Sequence, residues 1–186
     1  MGKPRKLTKH TMPRHVRALR KQCGHMAHAY SVGGMPPARD RKGGFRTLLR
    51  IIIDQQISVH AGAAIWAKLE KRLTDITAAR VLAVQERTLQ ECGLSGQKIR
   101  YARELAKAIH SGDLDLEALH KFDDDTAAAQ LTQVKGVGTW TAEIYLMFAM
   151  GRPDIMPAGD LAIQGAAQNL MGLKERPSIE ELRAIA

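Results

Sequence analysis

The sequence predicts an all-α protein, and three observations carry that prediction. Apolar residues recur at spacings of three and four, no segment alternates apolar and polar residues well enough to make a strand, and aromatic residues make up only 4% of the 186. A hydrophobic content of 45% with 25% charged residues suits a globular chain with one good core or two small lobes. No apolar run approaches a membrane span, and the opening MGKPRKLTKHTMPRHVR lacks the hydrophobic stretch of a signal peptide. A cytoplasmic protein is expected.

In chain order, Val16, Leu19, Cys23, Met26, Ala27 and Tyr30 share one face of a first amphipathic helix. The loop GGMPPARDRKGG, Gly33 to Gly44, is the one linker. Ser58 is placed to cap a helix bearing Val59, Gly62, Trp66, Leu69 and Leu73, and Ser95 to cap one bearing Ile99, Ala102, Leu105, Ala106 and Ile109. Ser178 and Glu181 form a capping-box pattern, and Gly93, Gly112, Gly151 and Gly172 each follow an apolar stretch as a helix stop would. Cys23 and Cys92 fall at apolar helical positions without metal-ligand spacing and read as reduced core residues. Neither His60 nor the six other histidines show ligand spacing. No internal repeat appears.

Charge is unevenly spread. The formal net charge is +9, yet the first fifty residues hold thirteen of the 28 Lys and Arg and only one acid, Asp40. Such a segment suits a polyanion, because neutralising phosphates releases counterions and adds salt-sensitive affinity. Lys3 to Lys9 read as a solubilising tail, and Arg39, Arg41, Lys42 and Arg46 as phosphate contacts.

The segment LTQVKGVGTWTA, Leu131 to Ala142, is the most telling. Gly136 and Gly138 flank Val137 in a turn too short for ordinary side chains, where positive φ is expected at both. A helix starting near Thr139 would aim its free N–H groups at whatever lies above the turn, which suits an anion such as a DNA phosphate. A tight turn between helices needs glycine whether or not it binds anything, so both readings stand on these residues alone. Asp160, in IMPAGDLAIQ, is either a cap for LAIQGAAQNLM or a reactive carboxylate, and the two roles are compatible.

Four segments carry a resemblance. They are GGFRTLLRIIIDQQIS (Gly43 to Ser58), GLSGQKIRYARELA (Gly93 to Ala106), VKGVGTWTAEIYLMFAMG (Val134 to Gly151) and the Pro-x-x-Asp-Leu element from Pro157 to Leu161. In order and spacing they resemble the helix-hairpin-helix (HhH-GPD) DNA glycosylases, within them the AlkA-like 3-methyladenine branch, over about Gly43 to Leu173. The resemblance implies two helical lobes with a DNA cleft between them. Residues 1–42 would form a basic arm and first helix packing with the C-terminal part, 43–130 a helical lobe with the QQIS motif, and 131–186 the hairpin and catalytic region.

It also implies roles. Asp160 would be the catalytic carboxylate, since breaking an N-glycosidic bond builds positive charge on the deoxyribose and a cationic alkylpurine needs little acid help. Lys135, Gly136, Val137, Gly138 and Thr139 would meet phosphate, Gln56 and Ile57 would act as wedge and minor-groove contacts, and Tyr30, Phe45, Trp66, Trp140 and Tyr145 would build the base pocket. Trp140 stands where lyase members carry a nucleophilic lysine, which implies base excision by water alone. Backbone carbonyls of Thr132, Val134 and Val137 could hold a structural Na+ or K+. The four cysteines that bind an iron–sulfur cluster in some members do not occur before Ala186, so no cluster and no other cofactor is expected. PSIEELRAIA reads as a helix running to the last residue, and a further terminal helix is expected to be either missing or never present. The implied partner of this monomer is duplex DNA with a damaged base. Two alternatives stay open at this point: a non-catalytic hairpin DNA-binding protein, and a glycosylase for another lesion.

Overall fold

The structure, a computed structural model, describes residues 6–38 and 41–185. Lys3 and Arg39, read above as tail and phosphate contact, lie outside the described residues. Every regular element among those described is helical: α1 (Met12–Gln22), α2 (Gly24–Gly33), α3 (Phe45–Asp54), α4 (Val59–Leu73), α5 (Ala78–Ala83), α6 (Glu86–Glu91), α7 (Gly96–Ser111), a 3-10 turn at Ala118–Lys121, α8 (Asp124–Thr132), α9 (Thr139–Phe148), α10 (Leu161–Met171) and α11 (Ile179–Ile185).

The core forms around α3. Its run of Leu and Ile buries Leu48, Leu49, Ile51, Ile52 and Ile53, so the helix is apolar on all but a narrow stripe and packs against α4, α7 and α9 at once. α7 buries Ile99, Ala102, Leu105 and Ala106 against α3 and α5, and α9 buries Thr141 through Leu146 against α3 and α8. A second group joins α10 to α2 and α11, and α2 to α1. Arg183 of α11 reaches Glu143 of α9 at 3.0 Å. Burial pushes the Glu143 carboxyl above the usual carboxylate range, an effect that Arg183 opposes.

The caps follow the sequence. Ser58 and Ser95 accept from Ala61 N–H and Lys98 N–H, Ser178 and Glu181 bond reciprocally, and Gly112 and Gly172 end α7 and α10 in the left-handed conformation. The first helix does not. Instead of running from Val16 to Tyr30 it breaks at Cys23, which takes an extended conformation (φ −132°, ψ 118°) before Gly24, a poor helix former. The break lets α2 turn onto α10, where His25 Nδ1 lies 3.1 Å from the Leu170 carbonyl. Cys23 is therefore half-buried and not a core residue, whereas Cys92 is buried and its thiol is pushed up by burial.

Arg152, which the sequence reading passed over, is buried to 2% exposure. It donates to the carbonyls of Leu119 and Phe122 at 2.8 and 2.9 Å and pairs with Asp124 at the start of α8. That arginine fixes the chain leaving α9 against the base of α8. No helix among the described residues is long and apolar enough to cross a membrane.

Candidate active site

The turn between α8 and α9 closes with Val137 N–H on the Val134 carbonyl at 2.9 Å. Val134 and Val137 point inward and are buried, while Lys135 and Thr139 are exposed. Gly136 has φ +96°, and a Cβ there would lie 2.2 Å from Cγ of Tyr101 on α7. It must be glycine twice over, for its dihedral and for the ring packed against it. Gly138 differs from the expectation. It has φ −84° and ψ 174°, the extended conformation of an N-cap, and a Cβ on it would meet nothing within 4 Å. One positive φ suffices to reverse the chain, so the second glycine serves to keep the helix start bare. No side chain caps α9, so the N–H groups of its first turn lack a side-chain partner where Gly138, Trp140 and Thr141 border the cleft.

Asp160 caps α10. Its Oδ1 accepts from Ala162 N–H at 2.8 Å and Ile163 N–H at 3.2 Å, while Oδ2 accepts from the Trp140 indole N–H at 2.8 Å. Trp140, one residue into α9, thus ties the carboxylate to the helix that begins at the hairpin. The sequence reading offered Trp140 as a pocket wall standing in the lyase lysine's place and missed this bond. The missed signal lies between distant segments and has no local trace.

A cleft of about 1000 Å³ joins these groups. It is bordered by the hairpin from Thr132 to Gly138, by Trp140 and Asp160, and by Gln56 and Ile57 at the end of α3. Of the expected residues, Lys135, Gly136, Val137, Gly138, Gln56, Ile57 and Asp160 therefore border one space, whereas Thr139, exposed at the start of α9, does not border it. Gln56 is exposed there, with φ +55°. Gln55 and Lys98 also border the cleft, and the sequence reading gave neither a role. Gln55 Nε2 donates to the Gly136 carbonyl at 3.0 Å and to Thr141 Oγ1 at 2.8 Å. The Lys98 ammonium donates to the carbonyls of Ile53 and Gln55, and burial holds its pKa below the ordinary lysine value. A lysine on an amphipathic helix reads as solvated, which hid it.

Four of the five expected pocket aromatics do not border this cleft. Tyr145 is 1% exposed, and its hydroxyl accepts from Gly44 N–H at 2.8 Å, at the far end of α3. Trp66 donates to Glu70 at 2.8 Å beneath the guanidinium groups of Arg46 and Arg50. Phe45 packs against the core and Tyr30 lies 3.8 Å under Arg20. Tyr145, Trp66 and Phe45 thus serve helix packing beside the Leu and Ile core, and Tyr30 stacks on Arg20. Arg46, expected on phosphate, is paired with Glu70 in this structure. Among the described residues no group of three or more His, Cys, Asp or Glu could hold a metal.

A bare helix start above a glycine turn suits a phosphodiester backbone, which places the fold among the helical proteins that grip nucleic acid through a hairpin. The family model for the HhH-GPD superfamily of base excision DNA repair proteins matches residues 49–186, and the chain belongs to that family. A curated relative, DNA-3-methyladenine glycosylase 1 of Schizosaccharomyces pombe, is 29% identical over 153 residues, covering 79% of this chain and 67% of that one. Among solved structures, the S. pombe 3-methyladenine DNA glycosylase in complex with abasic DNA is similar at a TM-score of 0.82 and 26% identity, over 92% of this chain and 86% of that one. DNA-3-methyladenine glycosidase from Bacillus halodurans is similar at a TM-score of 0.80 and 28% identity, over 97% and 83%.

The two glycines of the hairpin should separate in a denaturant melt. Gly136→Ala is expected to destabilise by about 2–4 kcal/mol, from its positive φ and the overlap with Tyr101. Gly138→Ala should lose under about 1 kcal/mol, as for a glycine N-cap with open space around it. Equal losses would contradict the assignment of the turn to Gly136.

Proposed function

We propose that the protein is a monofunctional DNA glycosylase that turns an alkylated purine of the 3-methyladenine type out of duplex DNA and releases it with water, as a first step of base excision repair. The observation that carries this reading is the Asp160 carboxylate, held at both oxygens in the cleft beside the hairpin. The names of the relatives support the same substrate class.

In this mechanism the start of α9 and Lys135 take a backbone phosphate, which sets register without reading sequence. Gln56 and Ile57 enter the stack as the damaged nucleotide swings into the cleft. The N-glycosidic bond breaks with its electron pair going to the cationic base, which leaves neutral. Positive charge grows on the deoxyribose, and Asp160 supplies the opposing charge. Oδ1 already accepts two bonds, but Oδ2 accepts only from the indole and keeps a free lone pair, so it can orient the water that adds to the anomeric carbon and releases a proton to solvent. Trp140 fixes the carboxylate and offers no amine.

A structural monovalent cation, Na+ or K+, would be held by the backbone carbonyls of the hairpin. Thr132, Val134 and Val137 all border the cleft there, Val134 O accepts one bond from Val137 N–H, and neutral carbonyl oxygens suit a hard cation. It would brace the turn and take no part in bond breaking. The protein would work as a monomer in the cytoplasm, on duplex DNA.

Asp160→Asn is expected to slow release of 3-methyladenine from methylated duplex by roughly 10² to 10⁴. The asparagine keeps a cap oxygen for α10, so affinity for undamaged duplex should stay within about twofold. Release near the parent rate would leave Asp160 as a cap alone and favour a non-catalytic DNA-binding protein.

Trp140→Phe keeps the bulk but loses the indole donor, and one hydrogen bond to a charged group corresponds to roughly tenfold to a hundredfold in rate. Single-turnover base release measures this directly. A rate equal to the parent's would show that the carboxylate does not need the indole.

Borohydride added during turnover should trap no protein–DNA adduct, with strand breaks appearing only after alkali, because no amine forms a Schiff base with the sugar. Efficient trapping would identify a nucleophilic amine, Lys135 being the first to test.

A further inference from the structure

The end of α3 is held from two sides. The chain leaves the helix at Gln55 (φ −56°, ψ 133°) and enters the left-handed region at Gln56 (φ +55°). A side chain other than glycine seldom takes that conformation, and it persists only where the surroundings over-determine it. Leaving the helix there strips the last carbonyls of α3 of their partners further along the chain. Lys98, reaching across from α7, supplies donors to two of them, Ile53 O and Gln55 O. Burial lowers the Lys98 pKa, and the negative charge of Asp54 on α3 counters that shift.

The side chain of Gln55 faces the other way. Its amide nitrogen bonds both to the Gly136 carbonyl in the hairpin and to Thr141 in the first turn of α9. A single residue therefore has its backbone oxygen fixed by α7 and its side chain fixed by the phosphate-binding turn. Gln56 and Ile57, the next two residues, border the same cleft.

We propose that Lys98 and Gln55 are positioning residues: together they hold Gln56 and Ile57 in the backbone conformation that enters the DNA stack, and they lock this wedge to the hairpin as one rigid unit. The inference rests on the glycosylase reading above and on Gln56 as the wedge. It assigns neither residue any contact with the base or the reacting sugar. Gripping a phosphate and opening the stack become one event, because the hairpin cannot seat without carrying the wedge to a fixed depth and angle. Without Lys98 the two carbonyls must find water, and Gln56 is released to the commoner negative φ, which redirects its side chain.

The test uses Lys98→Met, which keeps the stem and removes the ammonium, and Gln55→Leu, which keeps bulk and removes the amide. Gln56→Ala serves as the wedge control, and a denaturant melt checks each fold. The probe is a duplex carrying 2-aminopurine beside a tetrahydrofuran abasic analogue, whose fluorescence rises as the base unstacks. Both variants are expected to bind undamaged duplex within about threefold of the parent, since phosphate contacts survive. Both should lose most of the fluorescence rise and release base roughly tenfold more slowly, because stack opening is the step that needs the wedge.

An undiminished rise in both folded variants overturns the proposal. So does a rise that falls only in proportion to duplex affinity, which would make the two residues structural supports of the whole cleft. Should Lys98→Met fail the melt, Gln55→Leu alone decides by the same criteria. A rise retained in Gln56→Ala removes the wedge and this inference with it, while loss in Gln56→Ala with retention in the other two removes this inference alone. Parent protein that releases no base from methylated DNA fails the glycosylase reading separately.

Discussion

Trp140 and the hairpin share one helix, and the geometry of the cleft depends on that helix being immobile. The start of α9 presents its bare N–H groups, and one residue into the same helix an indole N–H holds Asp160 Oδ2. The distance between the helix start and the carboxylate is then set by half a helical turn of backbone and one hydrogen bond. Elsewhere the fold serves to fix α9: six consecutive residues, Thr141 through Leu146, are buried in it against α3 and α8. A helix buried on nearly every face cannot slide without opening the core, and close packing resists even a methylene's change in volume.

Charge complements this arrangement without duplicating it. Much of the positive charge near α3 is already engaged, Arg46 with Glu70 and Arg50 with Asp54, and both guanidiniums lie over Trp66. Exposed pairs of this kind are weak in water, so a polyanion can compete for Arg46 at low salt. Lys135, exposed on the hairpin itself, takes part in no ion pair among the described residues. Long-range attraction and local grip thus fall to different side chains.

Most of the fold could be read from the sequence because it is written locally. Helix caps at Ser58, Ser95 and Ser178 need only three or four residues to declare themselves, and the apolar run of α3 marks the core by itself. The hairpin and Asp160 were readable as motifs. What escaped were bonds between segments far apart in the chain: Trp140 to Asp160, Gln55 to Gly136 and Thr141, Lys98 to the end of α3. Each joins a side chain of ordinary type to a partner that composition cannot name. The pocket aromatics failed for a related reason. Tyr145 and Trp66 lie inside the helix packing, and sequence gives no means of telling a core ring from a pocket ring. The break at Cys23 was hidden because apolar spacing continues through it while the backbone does not.

α1 and α2 contribute no buried residue, and α10 contributes only Gln164, whose amide serves the nearby Ala158 carbonyl. Elements so lightly anchored open at free energies well below that of the body around α3, and their amide hydrogens exchange with solvent correspondingly sooner. The two sides of the cleft therefore differ in compliance. The hairpin is mounted on the stiff body, whereas the carboxylate caps a helix of the softer lobe, which reaches α9 through the Trp140 indole and through Arg183 on Glu143. Breathing of that lobe would change the reach of Asp160 while leaving the hold on the DNA untouched, so such a protein could stay on its duplex through many openings in which the carboxylate is briefly out of register.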